Sequence, residues 1–254
     1  MTGFDLTGRA ALVTGSGRGI GRSIALRLAE AGASVAFHDR SVSAELEAAV
    51  RQVSGAGKAT MIVGDLEDLT TVPAAIVEQA ASELGSLDIL VNNAGILMTA
   101  PALETTLETW TRTLAVDLTA AFLCSQAAAA HMRQGGYGRI VNVASQIAEA
   151  GLPGYTAYGV AKAGLNQLTR QLAVEWAPYG ITVNSVAPAF VATEMAEAAF
   201  RELPDLYQDQ LARVPKKRMC KVDEIAAAVL YLVSAEADFT TGAVLHVDGG
   251  YLAQ

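Results

Sequence analysis

The chain has 254 residues, of which 52% are hydrophobic and 17% charged, and its formal net charge is −8. That length suits one sizeable α/β domain, residues 1–254, and the composition excludes a disordered chain. The acidic balance, relieved only by short basic runs such as Lys216-Lys217-Arg218, excludes a phosphate-backbone partner, so no nucleic acid is expected.

Met1 to Ile20 mixes Asp5, Arg9 and Arg18 with a five-residue apolar run. That run is too short and too poorly flanked for an export signal or a membrane span. Cys124 and Cys220 form neither a metal spacing nor a disulfide framework, which fits a reducing cytoplasmic interior. His38, His131 and His246 are scattered without ligand spacing, so no metal is expected.

In chain order, short apolar runs predict seven strands: 10–14, 34–38, 60–63, 89–92, 139–144, 182–186 and 243–247. They alternate little, as strands buried on both faces do, and longer stretches at helical period, among them Ile20 to Ala31, separate them. The pattern predicts a Rossmann-type doubly wound parallel sheet with right-handed helical crossovers on both faces. Alanine-rich segments such as 125–131 and 225–234 read first as good helix formers. Ala189 to Lys221, with Pro204, Pro215 and sparse periodicity, predicts a mobile flap over the substrate.

Ligands bind at the carboxyl ends of such strands, near the point where strand order reverses. Strand one runs into Thr14-Gly15-Ser16-Gly17-Arg18-Gly19-Ile20-Gly21, where close backbone approach and a helix N-terminus suit a pyrophosphate. Asp39 ends the second strand, twenty residues past Gly19. A carboxylate there can take both ribose hydroxyls and repel a 2′-phosphate, which argues for NAD; it can also simply cap the next helix. Arg18 and Arg40 argue for NADP, because either guanidinium can reach a 2′-phosphate. The carboxylate weighs more heavily. Other strands run into Gly64-Asp65-Leu66, Asn92-Asn93-Ala94-Gly95, Ser145 and Pro188.

Tyr158 and Lys162 stand four residues apart, with Ser145 thirteen residues before the tyrosine. Positions i and i+4 share a helix face. An ammonium roughly 6 Å from a phenol at an effective dielectric near 20 is worth roughly 2.8 kcal/mol, or about two pKa units. The expectation is a hydride-transfer site whose tyrosine titrates close to working pH.

These motifs resemble the short-chain dehydrogenase/reductase family over essentially the whole length. The likeness is carried by Thr14 to Gly21, Asp65, Asn92 to Gly95, Ser145, Tyr158, Lys162 and the closing segment Thr241 to Gly250. The resemblance implies that Tyr158 is the general acid/base and that Lys162 holds the nicotinamide ribose and lowers the tyrosine pKa. It implies that Ser145 binds the substrate oxygen, Asp65 meets adenine, Asn92 lies along the cofactor and Thr193 binds the carboxamide. The expected dinucleotide contacts are Gly15, Arg18, Gly19, Ile20, Gly21, Asp39, Arg40, Asp65, Leu66, Asn92, Ala94, Gly95, Tyr158, Lys162, Pro188, Val191 and Thr193. It also implies a homotetramer.

Two positions depart from the family pattern. The family carries asparagine, a water-holding member of the proton relay, where this chain has Asp117. If a backbone carbonyl holds that water, Asp117 can serve; if the side chain matters, its charge raises the pKa of Tyr158. A Pro-Gly pair becomes Pro188-Ala189, and an ordinary backbone conformation is expected there because alanine resists the left-handed region.

The expected activity is interconversion of a secondary alcohol and a ketone with NAD, NADP being the alternative. Gln146, Glu149 and Tyr155 add polarity beside Ser145, with Gln146 and Tyr155 as substrate contacts, and favour a polyol or sugar-derived substrate. The rival readings are an NADP-dependent 3-oxoacyl-type reductase and a non-catalytic dinucleotide sensor. Glu194, Glu197, Arg201, Asp205 and Lys216 in the flap face either solvent or ligand.

Overall fold

A computed structural model of the chain describes residues 4–53, 57–194, 196, 201 and 204–254. The strands are β1 (Ala10–Val13), β2 (Ser34–Asp39), β3 (Ala59–Val63), β4 (Ile89–Asn92), β5 (Gly138–Val143), β6 (Ile181–Pro188) and β7 (Val244–Val247). They form one parallel sheet in the order β3-β2-β1-β4-β5-β6-β7. Strand order reverses between β1 and β4, so the crevice lies where the glycine-rich loop leaves β1. The flanking helices are α1 (Gly19–Glu30), α2 (Ala44–Arg51), α3 (Val72–Leu84), α4 (Leu107–Leu114), α5 (Ala120–Gly135), α6 (Thr156–Trp176), α7 (Pro204–Arg213) and α8 (Val222–Val233).

Strand periodicity divides the core between the two faces. Ala11, Val13, Ile89, Val91, Val141 and Val143 pack with Ile24 and Leu28 of α1 and Ile225 and Val229 of α8. Leu12, Leu90 and Ile140 point the other way, against Ile76 of α3, Ala128 and Met132 of α5 and Leu172 and Trp176 of α6. Every second residue serves a different layer, which is why the runs read as continuously apolar. Burying each such aliphatic side chain is worth roughly 1.5–3 kcal/mol.

Helices α4 and α5 join through a π-helical turn, Ala115–Thr119, into one stretch from Leu107 to Gly135. By length and composition alone that stretch could cross a membrane. In the fold it packs against α3 and α6 as a flank of the sheet. The predicted flap contains α7, and Val191 bridges to Cys220 at its two ends. Glu197 falls outside the described residues. Ala189 has an ordinary backbone, since among the described non-glycine residues only Phe4 and Lys217 have positive φ.

His38 ties β2 to two of the loops at the crevice. Its Nδ1 accepts from the Gly15 N–H at 3.4 Å, which leaves the proton on Nε2 to donate to the Gly64 carbonyl at 2.9 Å. Burial lowers its pKa below the ordinary 6.5, outweighing the Gly64 bond and nearby Asp39 and Asp65. On acidification the unfolded chain therefore binds this proton first, so the stabilisation is full above pH 6.5 and is lost as pH falls below it. Thermal unfolding should show stability dropping by up to about 1.4 kcal/mol per pH unit in that window, with a shallower slope in His38→Gln.

Candidate active site

The glycine loop is held by its neighbours rather than by its own sequence. The Thr14 hydroxyl accepts from the backbone N–H groups of Asn93 and Ala94, both at 3.0 Å, and donates to the Val91 carbonyl. Asn93 Nδ2 donates to the carbonyls of Thr14 and Gly15, both at 2.9 Å. Gly15 and Gly19 have φ of +62° and +57°. A Cβ on Gly21 would lie 2.2 Å from the Gly15 oxygen and 2.4 Å from Asn93 Nδ2. Helix α1 begins at this loop with no side-chain cap and no acidic residue in its first turn. Its N–H groups and dipole are therefore available to an anion, and the cradle fits a dinucleotide pyrophosphate.

From this loop a cleft of about 1210 Å³ runs across the strand ends. It gathers Gly15, Arg18, Gly19, Ile20, Gly21, Asp39, Arg40, Ala94, Gly95, Asp117, Ser145, Gln146, Tyr155, Tyr158, Lys162, Pro188, Val191 and Thr193 on one lining. Three expected residues are not on it. Asp65 is exposed, accepting from the Glu67 N–H, and Leu66 is buried in the core. Asn92 turns beneath the loop, where its Nδ2 donates to Ser125 Oγ at 2.9 Å and Asn142 Oδ1 at 2.8 Å. Its neighbour Asn93 occupies the lining instead. The sequence reading missed Asn93, although the doubled asparagine was the available signal: alternation along a strand end sends the two side chains to opposite sides.

A buried polar chain continues from Asn92. Asn142 Nδ2 donates to Thr169 Oγ1 at 2.9 Å, and Ser185 Oγ donates to Asn166 Oδ1 at 2.9 Å. These bonds join β4, β5 and β6 to helix α6, and so fix the height at which α6 delivers its first two turns to the cleft. Tyr158 and Lys162 lie on those turns. Lys162 is 4% exposed. Its Nζ donates to the Val143 carbonyl at 3.1 Å, sits 3.4 Å from Asp117 Oδ2 and lies 5.5 Å from the centre of the Tyr158 ring. Ser145 extends from β5, and its Oγ accepts from the Ile147 N–H at 3.2 Å, which aims the hydroxyl into the cleft.

The expected depression of the tyrosine pKa does not hold in the chain alone. Burial pushes the Tyr158 phenol above its ordinary value of 10.0, Lys162 and a hydrogen bond with Ser145 oppose this, and Asp117 adds to it. The residue as a whole is only partly buried, but the desolvation of its hydroxyl is what counts. For Lys162, burial favours the neutral amine, yet Asp117 and Tyr158 together raise its pKa, so it is an ammonium. Burial raises Asp117 against the pull of Lys162.

Beyond the phenol, Tyr155 and Tyr207 share a hydroxyl–hydroxyl hydrogen bond, and Phe190 packs edge-on to Tyr207 and Tyr251. Burial, then Tyr207, raises the Tyr155 pKa strongly, so it remains a neutral donor. Gln146 is 1% exposed and its Oε1 has no hydrogen-bond partner among the described residues. Across the mouth Arg18 pairs with Glu194 of the flap at 3.2 Å, both exposed. Cys124 is inert, its thiol pushed up to about 12 by burial.

Comparison with known proteins agrees with this geometry. Residues 15–252 match a family model described as enoyl-(acyl carrier protein) reductase. A double mutant of a Serratia marcescens short-chain dehydrogenase/reductase superposes with a TM-score of 0.90 at 39% identity, over 97% of this chain and 98% of that one. The chain belongs to the short-chain dehydrogenase/reductase family. It is an NAD(P)-dependent oxidoreductase acting on CH–OH groups. It is also similar to the galactitol 2-dehydrogenase (L-tagatose-forming) of Cereibacter sphaeroides, at 41% identity over 98% of this chain and 97% of the relative. The structure of gluconate 5-dehydrogenase from Burkholderia cenocepacia, in complex with NADP and tartrate, matches with a TM-score of 0.92 at 35% identity, covering 99% of this chain and 98% of that one.

Because the Gly21 position has no room for a side chain, Gly21→Ala should destabilise the fold by about 1–3 kcal/mol. It should also weaken dinucleotide binding at least tenfold, read by thermal melts and by quenching of protein fluorescence. Unchanged affinity would show that the loop does not carry the cofactor.

Proposed function

We propose that this enzyme interconverts a secondary hydroxyl and a ketone on a polyol or sugar-derived substrate, with Tyr158 as general acid/base. The observation that carries this reading is the convergence of a phenol, an ammonium and a serine hydroxyl on the cleft that begins at the glycine loop. A nicotinamide dinucleotide, when bound, supplies or accepts the hydride. Tyr158 gives the substrate oxygen its proton in reduction and takes it back in oxidation. Ser145 donates a hydrogen bond to the same oxygen, most strongly as charge develops on it. Lys162 holds the nicotinamide ribose and supplies the fixed positive charge beside the phenol. Thr193, Val191 and Pro188 line the nicotinamide end and Gly15 to Gly21 hold the pyrophosphate.

The polyol reading draws support from the unpartnered Oε1 of Gln146 and from the Tyr155 and Tyr207 hydroxyls, which offer acceptors and donors to further hydroxyl groups. The similarity to galactitol 2-dehydrogenase and gluconate 5-dehydrogenase points the same way. Asp39 at the adenosine end supports NAD as the preferred cofactor. A second reading, an NADP-dependent 3-oxoacyl-type reductase, draws support from the similarity to a 3-oxoacyl-[acyl-carrier-protein] reductase of Staphylococcus aureus, 37% identical over 95% of this chain and 97% of the relative. Exposed Leu103, Leu107, Val174 and Phe239 support association into a homotetramer, and the free cysteines suit the cytoplasm. The shared sheet and cleft support a single catalytic domain over 1–254.

Tyr158→Phe should lower kcat/KM on polyols by roughly 10²–10⁴-fold while leaving dinucleotide affinity within a few-fold of wild type. Following cofactor absorbance across polyols, sugar acids and 3-oxoacyl thioesters, with NAD and NADP in parallel, tests the rest. Turnover confined to 3-oxoacyl thioesters with NADP would replace the first reading with the second.

A further inference from the structure

Resting on the reading of Tyr158 as acid/base, we propose that Asp117 is a positioning residue acting through Lys162. Its buried carboxylate neutralises the ammonium, keeps Tyr158 a protonated phenol to higher pH than the lysine alone would allow, and so biases the site toward donating a proton to a carbonyl.

The geometry is specific to a carboxylate. Asp117 is 1% exposed and sits in the middle of the π-helical turn that joins α4 to α5. Such turns place side chains where a regular helix would not, and they are frequent at functional sites. One oxygen, Oδ1, is anchored by the Ile96 N–H at 2.8 Å. The other, Oδ2, has no hydrogen-bond partner among the described residues, and it faces Lys162 Nζ at 3.4 Å. Gly95 closes the floor: a Cβ there would lie 3.0 Å from Oδ2 and 3.4 Å from Nζ. An asparagine at 117 that keeps the Ile96 bond through its oxygen would lose the charge and turn its NH2 group toward Nζ in place of an acceptor.

Charge counting gives the consequence. With Asp117 ionised and Lys162 protonated the pair is neutral, and forming the phenolate leaves an uncompensated negative charge in a desolvated site. Without the carboxylate, phenolate and ammonium would compensate each other. The groups acting on Tyr158 from the surrounding elements are Lys162 on α6, Asp117 on the π turn, Ser145 beyond β5 and Tyr207 on α7. Tyr155 stands edge-on at 6.2 Å between ring centres. Asp117 and Tyr207 work against the phenolate, Lys162 and Ser145 for it.

The experiment is an ultraviolet titration of the phenolate band in the cofactor-free protein. It uses wild type and Asp117→Asn, each with and without Tyr158→Phe, so that the difference isolates Tyr158. The expected result is a Tyr158 midpoint lower in Asp117→Asn by about one pH unit or more. In turnover the alkaline limb of ketone reduction should move down by the same amount. A smaller fall, no shift or a rise overturns the proposal. Should Asp117→Asn fail to fold, Asp117→Ser removes the same charge and carries the same expectation. No turnover enters the titration, so its outcome stands apart from the acid/base reading, which fails only if Tyr158→Phe retains full activity.

Discussion

A buried ammonium cannot stand alone. Lys162 is 4% exposed where it lines the cleft, and a desolvated charge of that kind costs several kcal/mol unless it is paired and hydrogen-bonded. The fold meets that demand with three groups from three elements: the Val143 carbonyl of β5, the Asp117 carboxylate on the π turn and the Tyr158 ring one helical turn away on α6. Each of those elements has to be where it is for the cation to exist, and the chemistry of the site depends on the cation.

Two polar devices hold the elements in place. The Asn92–Asn142–Thr169 chain, with Ser185–Asn166 beside it, locks α6 onto the central strands through directional hydrogen bonds that an apolar interface would not supply. On the other side of the switch point, Thr14 and Asn93 tie the glycine loop to the end of β4, and His38 ties it to Gly64. The glycine loop and helix α6 thereby share one reference, the carboxyl ends of β1, β4 and β5. The flap closes on itself through the Val191–Cys220 bridge and meets the body through the exposed Arg18–Glu194 pair and a small apolar cluster in which Phe190, Tyr207 and Val214 pack with Tyr155 and Tyr251.

Much of this was legible in the sequence because the strands are buried on both faces. The seven apolar runs fall within one or two residues of β1 to β7, and the rim follows from their ends. The Tyr158–Lys162 spacing likewise survives folding, since i and i+4 on a helix have nowhere else to go. What the sequence could not supply was relative burial. The coulombic estimate for Lys162 on Tyr158 omitted the desolvation that outweighs it, and the π turn that brings Asp117 to the ammonium leaves no periodic signature. The family resemblance implies a place along the cofactor for Asn92, whereas alternation at the strand end puts Asn93 on the cleft lining. The helix within the flap was hidden for a different reason: α7 is short and polar, and its start at Pro204 reads equally well as a break.

The central claim is that one enclosed ammonium organises both the ribose end of the cofactor site and the ionisation of the phenol. Lys162→Met removes it with little change in volume. Steady-state kinetics and dinucleotide binding measured together, on protein shown by thermal melts to be folded, should give kcat/KM lower by at least about 10²-fold and a weaker dinucleotide affinity. Catalytic efficiency within twofold of wild type would contradict the account.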